Sequence, residues 1–402
     1  MPTLPLRLQP LRHKVEFLHD GDLLEAEASE PLALSLLAAG RVALSRSPKW
    51  HRPRGPYCLR AACEGCLMRV DGVPNVLACQ YAMLGGETVE TQNVLGTRQL
   101  DLLQATDFLF PQGMDHHRLF AGVTGISPIV QRLARRIAGL GRLPDTSGQV
   151  RALPPLSTEV LIVGGGGAGL AVAAEKGPGA WLVEDSAELG GILRLIAPEQ
   201  AHSLLRAAEG SGCKLQLATT AAAVQALPDG RFAILLVSAA GAQLVHATEL
   251  VLATGVHEAV PPFAGGDLPG CFSARAGLLA LSKGVRPGAR VVVIGDGELA
   301  RTAAAQLGAA LAAHLRDEAT VTALTGTARV AGVKLSAGGS VPADAVLYDA
   351  EAAPAFELYV QAGGSVRFDP ARGYVPQADQ QHRTNARVYC VGRVTGAALS
   401  AR

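Results

Sequence analysis

Four of the seven cysteines fall between positions 58 and 79, where Cys58, Cys63, Cys66 and Cys79 read C-x4-C-x2-C-x12-C. Thiolates are soft donors suited to iron and zinc. Three on one tight loop and a fourth from a following strand can surround two irons, and the first part of this spacing is that of plant-type [2Fe-2S] sites. Zinc is the alternative, but zinc knuckles favour two C-x2-C pairs, and only one such pair is present. The loop His51-Arg52-Pro53-Arg54-Gly55-Pro56-Tyr57 ahead of Cys58 supplies guanidiniums that can offset cluster charge. Cys213, Cys271 and Cys390 stand alone in apolar sequence and read as buried small hydrophobes.

A second chemistry-bearing pattern follows an apolar strand, Val160 to Val163. Gly164, Gly166 and Gly169 fill G-x-G-x-x-G, with Gly167 inside the motif and a helix from Leu170 to Lys176 behind it. The pattern gives a tight turn, room for a pyrophosphate and close helix packing. Leu182-Val183 is expected as the next strand, ending at Glu184, where a carboxylate would hold adenosine ribose hydroxyls. Gly190-Gly191 and the return loop Thr254-Gly255 complete this candidate site. Val291 to Ile294 and Gly295-Asp296-Gly297-Glu298-Leu299-Ala300 repeat the strand-turn-helix order. There the helix is expected to run to about Leu315, and the next strand-like segment, Val321 to Leu324, ends without an acid. Asp317 and Glu318 precede that segment and read as a solvated helix end, so a working NAD(P) site is not expected.

These groups need a scaffold. Strand patterns at Lys14 to Leu18 and Leu23 to Ala28 flank a His19-Asp20-Gly21-Asp22 turn, and a helix is expected over Glu30 to Ala39, with Ser29 as its cap and Gly40 as its stop. Further strands over Met68 to Val70 and Val89 to Thr91 complete a β-grasp order. The expected class is α/β: a β-grasp ferredoxin-like [2Fe-2S] domain (1–105), a connector with a basic helix (106–157), an adenine-nucleotide (FAD-type) Rossmann-like domain (158–260 and 335–402) and a shortened NAD(P)-like domain (261–334). Among 402 residues, 49% are hydrophobic and 18% charged, which excludes extended disorder. Lys plus Arg number 36 against 35 Asp plus Glu, so no broad basic surface for nucleic acid is expected. The start MPTLPLRLQPLRHK lacks the apolar core of a secretory signal, and the uncharged run Val160 to Ala174 is too glycine-broken to span a membrane. A cytoplasmic protein is expected.

The segments HRPRGPYC, NVLAC, RRIAGLGRLPD, GGGGAGL, LATGVHEAVPPFAGGDLPG and YCVGRVTGA together resemble the iron-sulfur and flavin (alpha) subunits of heteromeric amine dehydrogenases. That group includes sarcosine oxidase alpha subunit, opine oxidase, hydrogen cyanide synthase and hydroxyproline or proline dehydrogenase subunits. The resemblance implies an FAD-dependent oxidoreductase subunit acting on CH-NH donors within a hetero-oligomer. A partner FAD-dependent subunit, like D-amino-acid oxidase, would oxidise the amine, and this chain would pass the electrons onward. Its relatives hold FAD, NAD or ATP at the first glycine turn, so FAD or another adenine nucleotide is implied there. The resemblance also implies a longer terminal helix beyond Arg402. One departure stands out: flavoproteins of this type usually have Gly-Asp in the last motif, and here Gly392 precedes Arg393.

No side chain need act as acid or base, because the cofactors carry the electron chemistry. Two other readings are a self-contained NAD(P)H-dependent [2Fe-2S] flavoprotein reductase and a degenerate nucleotide-binding scaffold. Three minor candidates remain. His116-His117 reads poorly as a metal pair, and His257-Glu258 reads as a hydrogen-bonded loop pair. Arg132, Arg135 and Arg136 read as a solvated face, with partner docking as the alternative.

Overall fold

A computed structural model describes residues 4–47, 51–94, 150–377, 383–385 and 387–399. The expected basic helix with Arg132, Arg135 and Arg136, and the His116-His117 pair, lie outside the described residues.

The chain opens with β1 (Lys14–His19) and β2 (Asp22–Glu27), paired antiparallel with His19 opposite Asp22. The two-residue loop places Asp20 at φ 50° and Gly21 at φ 87°, the left-handed pair that matches the twist of a tight hairpin. The helix α1 (Leu32–Ala38) is buried along nearly its whole length. It ends where Gly40 takes φ 74°, letting the Gly40 N–H donate to Leu37 O at 2.9 Å and the Arg41 N–H to Leu36 O at 2.8 Å. Ser29 does not cap this helix; Pro31 occupies that position, and the Ser29 N–H donates to Met83 O.

The strands β3 (Leu67–Val70), β4 (Val73–Leu77) and β5 (Thr88–Glu90) complete a five-stranded sheet in the order β2-β1-β5-β3-β4. β1 and β5 run parallel at its centre. Phe17, Ala26, Met68 and Val89 point into a core shared with the leucines of α1. This is the β-grasp arrangement.

The first dinucleotide sheet is built from β6 (Ala152–Val163), β7 (Ala180–Val183) and β8 (Lys214–Gln216), followed by β9 (Thr219–Ala226), β10 (Phe232–Ser238) and β11 (Gly241–Leu252). Its order is β8-β7-β6-β11-β10-β9. The helices α2 (Gly167–Lys176) and α3 (Pro198–Gly210) follow β6 and β7 in the chain. β6 begins at Ala152, inside the stretch expected as connector, because Ala152 to Leu156 pair with the outer half of β11.

The second dinucleotide sheet contains β12 (Cys271–Ser273), β13 (Val291–Ile294), β14 (Leu311–Leu315) and β18 (Ala345–Tyr348), all parallel, in the order β12-β18-β13-β14. Two helices accompany it, α4 (Ala274–Ser282) and α5 (Glu298–Leu307). A small antiparallel sheet of β15 (Val321–Thr325), β16 (Gly332–Leu335) and β17 (Ser340–Pro342) lies between β14 and β18 in sequence.

The structure corrects two boundaries. The return to the first dinucleotide domain was expected at residue 335. That position ends a hairpin strand, and β18 beyond it pairs with β13, so the return follows Asp349. The helix expected to reach Leu315 stops at Leu307, and the true neighbour of β13 is β14, not Val321 to Leu324.

Residues 4–94, 260–296 and 300–349 group into one compact unit, and residues 150–259, 297–299 and 350–399 into another. Within the first unit the β-grasp domain is tied to the second dinucleotide sheet. Leu8 N–H donates to Gly284 O at 2.8 Å, Arg286 N–H to Leu6 O at 2.7 Å and Ser273 N–H to Tyr57 O at 3.0 Å. Within the second unit the core is formed by Leu161, Trp181, Ile234, Val245 and Leu250, closed by Tyr359 and Val388 from the returning chain.

Candidate cofactor sites

Cys58, Cys66 and Cys79 are buried, while Cys63 is partly exposed. The sulfurs form two hydrogen-bonded pairs, Cys58 with Cys63 and Cys66 with Cys79. In the first pair the bond from the Cys58 thiol pulls Cys63 down to about 5 against the effect of burial, with help from the N–H groups of Gly65, Cys58 and Tyr57. Cys58 is pushed up by the same bond. In the second pair Cys79 is lowered by its bond with Cys66, whose own thiol is raised. The four sulfurs are thus arranged as two close pairs.

Among the described residues, no three His, Cys, Asp or Glu side chains close around a single ion position. Two pairs match what a two-iron cluster takes, one pair to each iron.

The loop is shaped for sulfur. Leu59 and Ala61 adopt φ 52° and 64°, a left-handed geometry that is costly for residues other than glycine. The Arg60 N–H donates to Cys58 Sγ at 3.4 Å and the Ala61 N–H to Cys79 Sγ at 3.3 Å. Such donors stabilise sulfur charge. Gly65 is required by packing, since a Cβ there would lie 2.1 Å from Gly55 O. Cys63 and Arg54 line one cavity of about 390 Å³, with Tyr57, Asn75 and Pro261.

At the first glycine turn, Val163 pairs with Val183 and the Gly164 N–H donates to Val183 O at 2.9 Å. Gly164 takes φ 106°, and Gly169 is pressed so close that a Cβ would lie 1.9 Å from Gly164 O. Gly166 precedes α2 with open space at its Cβ position and no side-chain cap on the helix start. Uncapped N–H groups at such a turn are an anion-binding feature. Gly167 lies against Leu193. The Gly190 N–H donates to Gly165 O at 2.8 Å, and Gly191 stacks on Gly166.

Glu184 follows directly at the end of β7 and is partly buried. Its carboxylate accepts from Gly165 N at 2.5 Å, Ser186 N at 3.1 Å and Ser186 Oγ at 2.7 Å. Burial pushes this carboxyl up, but hydrogen bonds with Asp185, Gly165 and Ser186 outweigh it and hold the group below the usual range. Thr254 Oγ1 donates to Ala355 O at 2.6 Å, and Gly255 O accepts from Ala355 N at 3.0 Å. Gly392, at φ 72°, touches the turn at Ala168, and Arg393 follows it in the same short helical turn. The structure thus gathers Gly164, Gly166, Gly167, Gly169, Glu184, Gly190, Gly191 and Gly392 at one strand end.

Sequence reasoning missed Ser186, which braces the acid, and the nearby ion pair of Arg194 with Glu188. Their spacing carries no motif. His257 bonds Glu357, a carboxylate a hundred residues away, at 2.8 Å.

The second turn repeats this backbone with other side chains. Ile294 pairs with Leu315, and the Gly295 N–H donates to Leu315 O at 2.8 Å. Arg316 therefore stands where Glu184 stands in the first turn. Asp349 takes the place of Ala253, and its Oδ2 accepts from Ala300 N at 3.0 Å. Asp317 accepts from Ala319 N and Glu318 from the Tyr348 hydroxyl, so neither serves the turn.

Residues 12–94 match the family model for a 2Fe-2S iron-sulfur cluster binding domain, which spans all four cysteines. The sarcosine oxidase subunit alpha of Corynebacterium sp. (strain P-1) is 30% identical over 369 residues, covering 84% of this chain and 33% of that protein. The chain is similar in sequence to sarcosine oxidase alpha subunits. The corresponding subunit of Rhizobium meliloti (strain 1021) is 27% identical over 203 residues, covering 44% of this chain and 20% of its own length. The chain thus spans about a third of the first relative's length and a fifth of the second's. Among solved structures, L-proline dehydrogenase from P. horikoshii superposes with a TM-score of 0.75 at 23% identity, over 97% of this chain and 71% of that one. The fold is therefore a [2Fe-2S] domain joined to a dinucleotide-binding oxidoreductase module. No helix among the described residues is long and apolar enough to cross a membrane.

Proposed function

We propose that this chain is the electron-transfer subunit of a heteromeric FAD/[2Fe-2S] amine or amino-acid dehydrogenase or oxidase of the sarcosine, proline or opine type. The observation that carries the reading is the presence in one chain of four cysteines on a [2Fe-2S] domain loop with N–H donors to sulfur, and an uncapped glycine turn closed by the Glu184 carboxylate.

Cys58 with Cys63, and Cys66 with Cys79, would hold the cluster, which supplies one-electron transfer when bound. The N–H groups of Arg60 and Ala61 would then bear on sulfur charge and so on potential. Gly164 to Gly169 would seat the pyrophosphate of FAD or another adenine nucleotide at the start of α2. Glu184, ionised and braced by Ser186, would accept from the adenosine ribose. Gly190 and Gly191 would let the phosphates approach the backbone. Arg393 replaces the carboxylate expected beside the ribityl chain, which favours a ligand with more anionic charge there. The donor would be oxidised on a flavoprotein partner like D-amino-acid oxidase, within a hetero-oligomer. The three cysteines outside the cluster loop, Cys213, Cys271 and Cys390, are buried thiols without a disulfide, in keeping with a cytoplasmic setting.

The test is reduction of the complex isolated with its partner subunit. A secondary amine or amino acid is expected to bleach the iron-sulfur absorption of the complex and to leave the chain alone unchanged. Bleaching of the chain alone by a reduced nicotinamide nucleotide, with no response of the complex to amines, would overturn the reading.

A further inference from the structure

A carboxylate at the end of the second strand of a dinucleotide unit accepts from ribose hydroxyls; a guanidinium cannot accept, and instead donates to phosphate oxygens. At the second turn this position is filled by Arg316, fixed by the pairing of Ile294 with Leu315 and the Gly295 N–H bond to Leu315 O. A second guanidinium comes from Arg301 in the first part of α5. Both are held by one carboxylate, Asp296, the residue between the first two glycines of the turn. Arg316 Nη1 lies 3.5 Å from Oδ1 and Arg301 Nη1 lies 3.6 Å from Oδ2. Arg301 also donates to the Asp296 carbonyl.

These pairs are long and their side chains are more than half exposed for both arginines, so each contributes little to stability. Two guanidiniums share the one carboxylate of Asp296, which leaves donor capacity on both. Of the acids that follow Arg316, Asp317 is engaged with Ala319 N and Glu318 with Tyr348. At the other end of the turn, Asp349 already supplies an anion to the α5 N–H of Ala300. Recognition at this turn therefore rests on the ribose end more than on the pyrophosphate.

We propose that the second turn is a binding site for adenine nucleotides carrying a 2′-phosphate, of the NADP class, gripped by Arg316 and Arg301 with Asp296 as an internal competitor. The site is separate from the one that carries the electron-transfer reading and does not depend on it.

The test is calorimetric titration of the full chain with 2′,5′-ADP and with 5′-AMP. The diphosphate is expected to bind about tenfold tighter than the monophosphate, as a charge-assisted phosphate contact would give. Arg316→Ala should remove that preference and leave 5′-AMP binding unchanged. Asp296→Asn should tighten 2′,5′-ADP alone. Asp349→Asn should strengthen both nucleotides alike. Equal affinities for the two probes in the unaltered chain would overturn the proposal. So would a preference that survives replacement of both Arg316 and Arg301 by alanine. The arginines are exposed, so these variants are expected to keep the thermal transition of the parent, which checks that folding is intact.

Discussion

The two glycine turns share a backbone and differ in charge. In each, a buried four-residue strand end feeds a turn whose first glycine N–H bonds the last residue of the neighbouring strand, at 2.9 Å in one and 2.8 Å in the other. In the first, Glu184 follows the neighbouring strand, with Ala253 behind the helix start. In the second, Arg316 follows it, with Asp349 behind. Burial of Val160 to Val163 and of Val291 to Ile294 maintains the architecture in both cases. A few side chains at the strand ends then decide which nucleotide, if any, is admitted.

The strongest way to break the comparison is steric. Gly169→Val places a Cβ 1.9 Å from Gly164 O, so the first turn should lose nucleotide binding and about 3 kcal/mol of stability, read by chemical denaturation. Ala300 occupies the matching place in the second turn with a Cβ already accommodated, so Ala300→Gly there should change stability by only about 1 kcal/mol.

A smaller effect is expected from charge. Glu184→Gln keeps the shape and removes the anion, and should weaken adenine-nucleotide binding about tenfold by titration calorimetry. Arg316→Glu should make the second turn resemble the first and reverse any preference for a 2′-phosphate.

Smaller again is the acid response of the first turn. The Glu184 carboxyl is held below its unfolded value, so its contribution to stability is complete above the ordinary carboxylate range and is lost as pH falls through its lowered value. Thermal unfolding followed from pH 7 downward should show an acid loss that Glu184→Gln lacks. The smallest effect is expected for Asp296→Asn, whose exposed pairs should be worth under about 1 kcal/mol in the same assay.

The contrast also explains what could be read from the chain. The first turn was legible because strand, glycines, helix and acid recur at fixed spacing. The cysteine loop was legible for the same reason, as was the Asp20-Gly21 hairpin. Cys213, Cys271 and Cys390 are buried as their apolar settings suggested. The second turn was misread because Leu311-Ala312-Ala313-His314-Leu315 continues an alanine-rich helix and has high helix propensity. Pairing with β13 overrides that propensity, after Gly308 at φ 53° and a 3-10 turn have ended the helix. Only the strand register then shows that the position opposite Glu184 is Arg316. β4 escaped notice because Pro74 and Asn75 interrupt its apolar pattern. The domain return at residue 350 was hidden for a related reason: β16 and β18 are similar short apolar strands, and only their partners assign them to one unit.

The measurement that bears most directly on the whole account is metal and sulfide analysis, with electron paramagnetic resonance after reduction, of the full chain purified without oxygen. About two irons and two acid-labile sulfides per chain are expected, with a rhombic signal that vanishes in Cys58→Ser and persists in Cys213→Ser. Stoichiometric zinc at the four cysteines, with no sulfide, would contradict it.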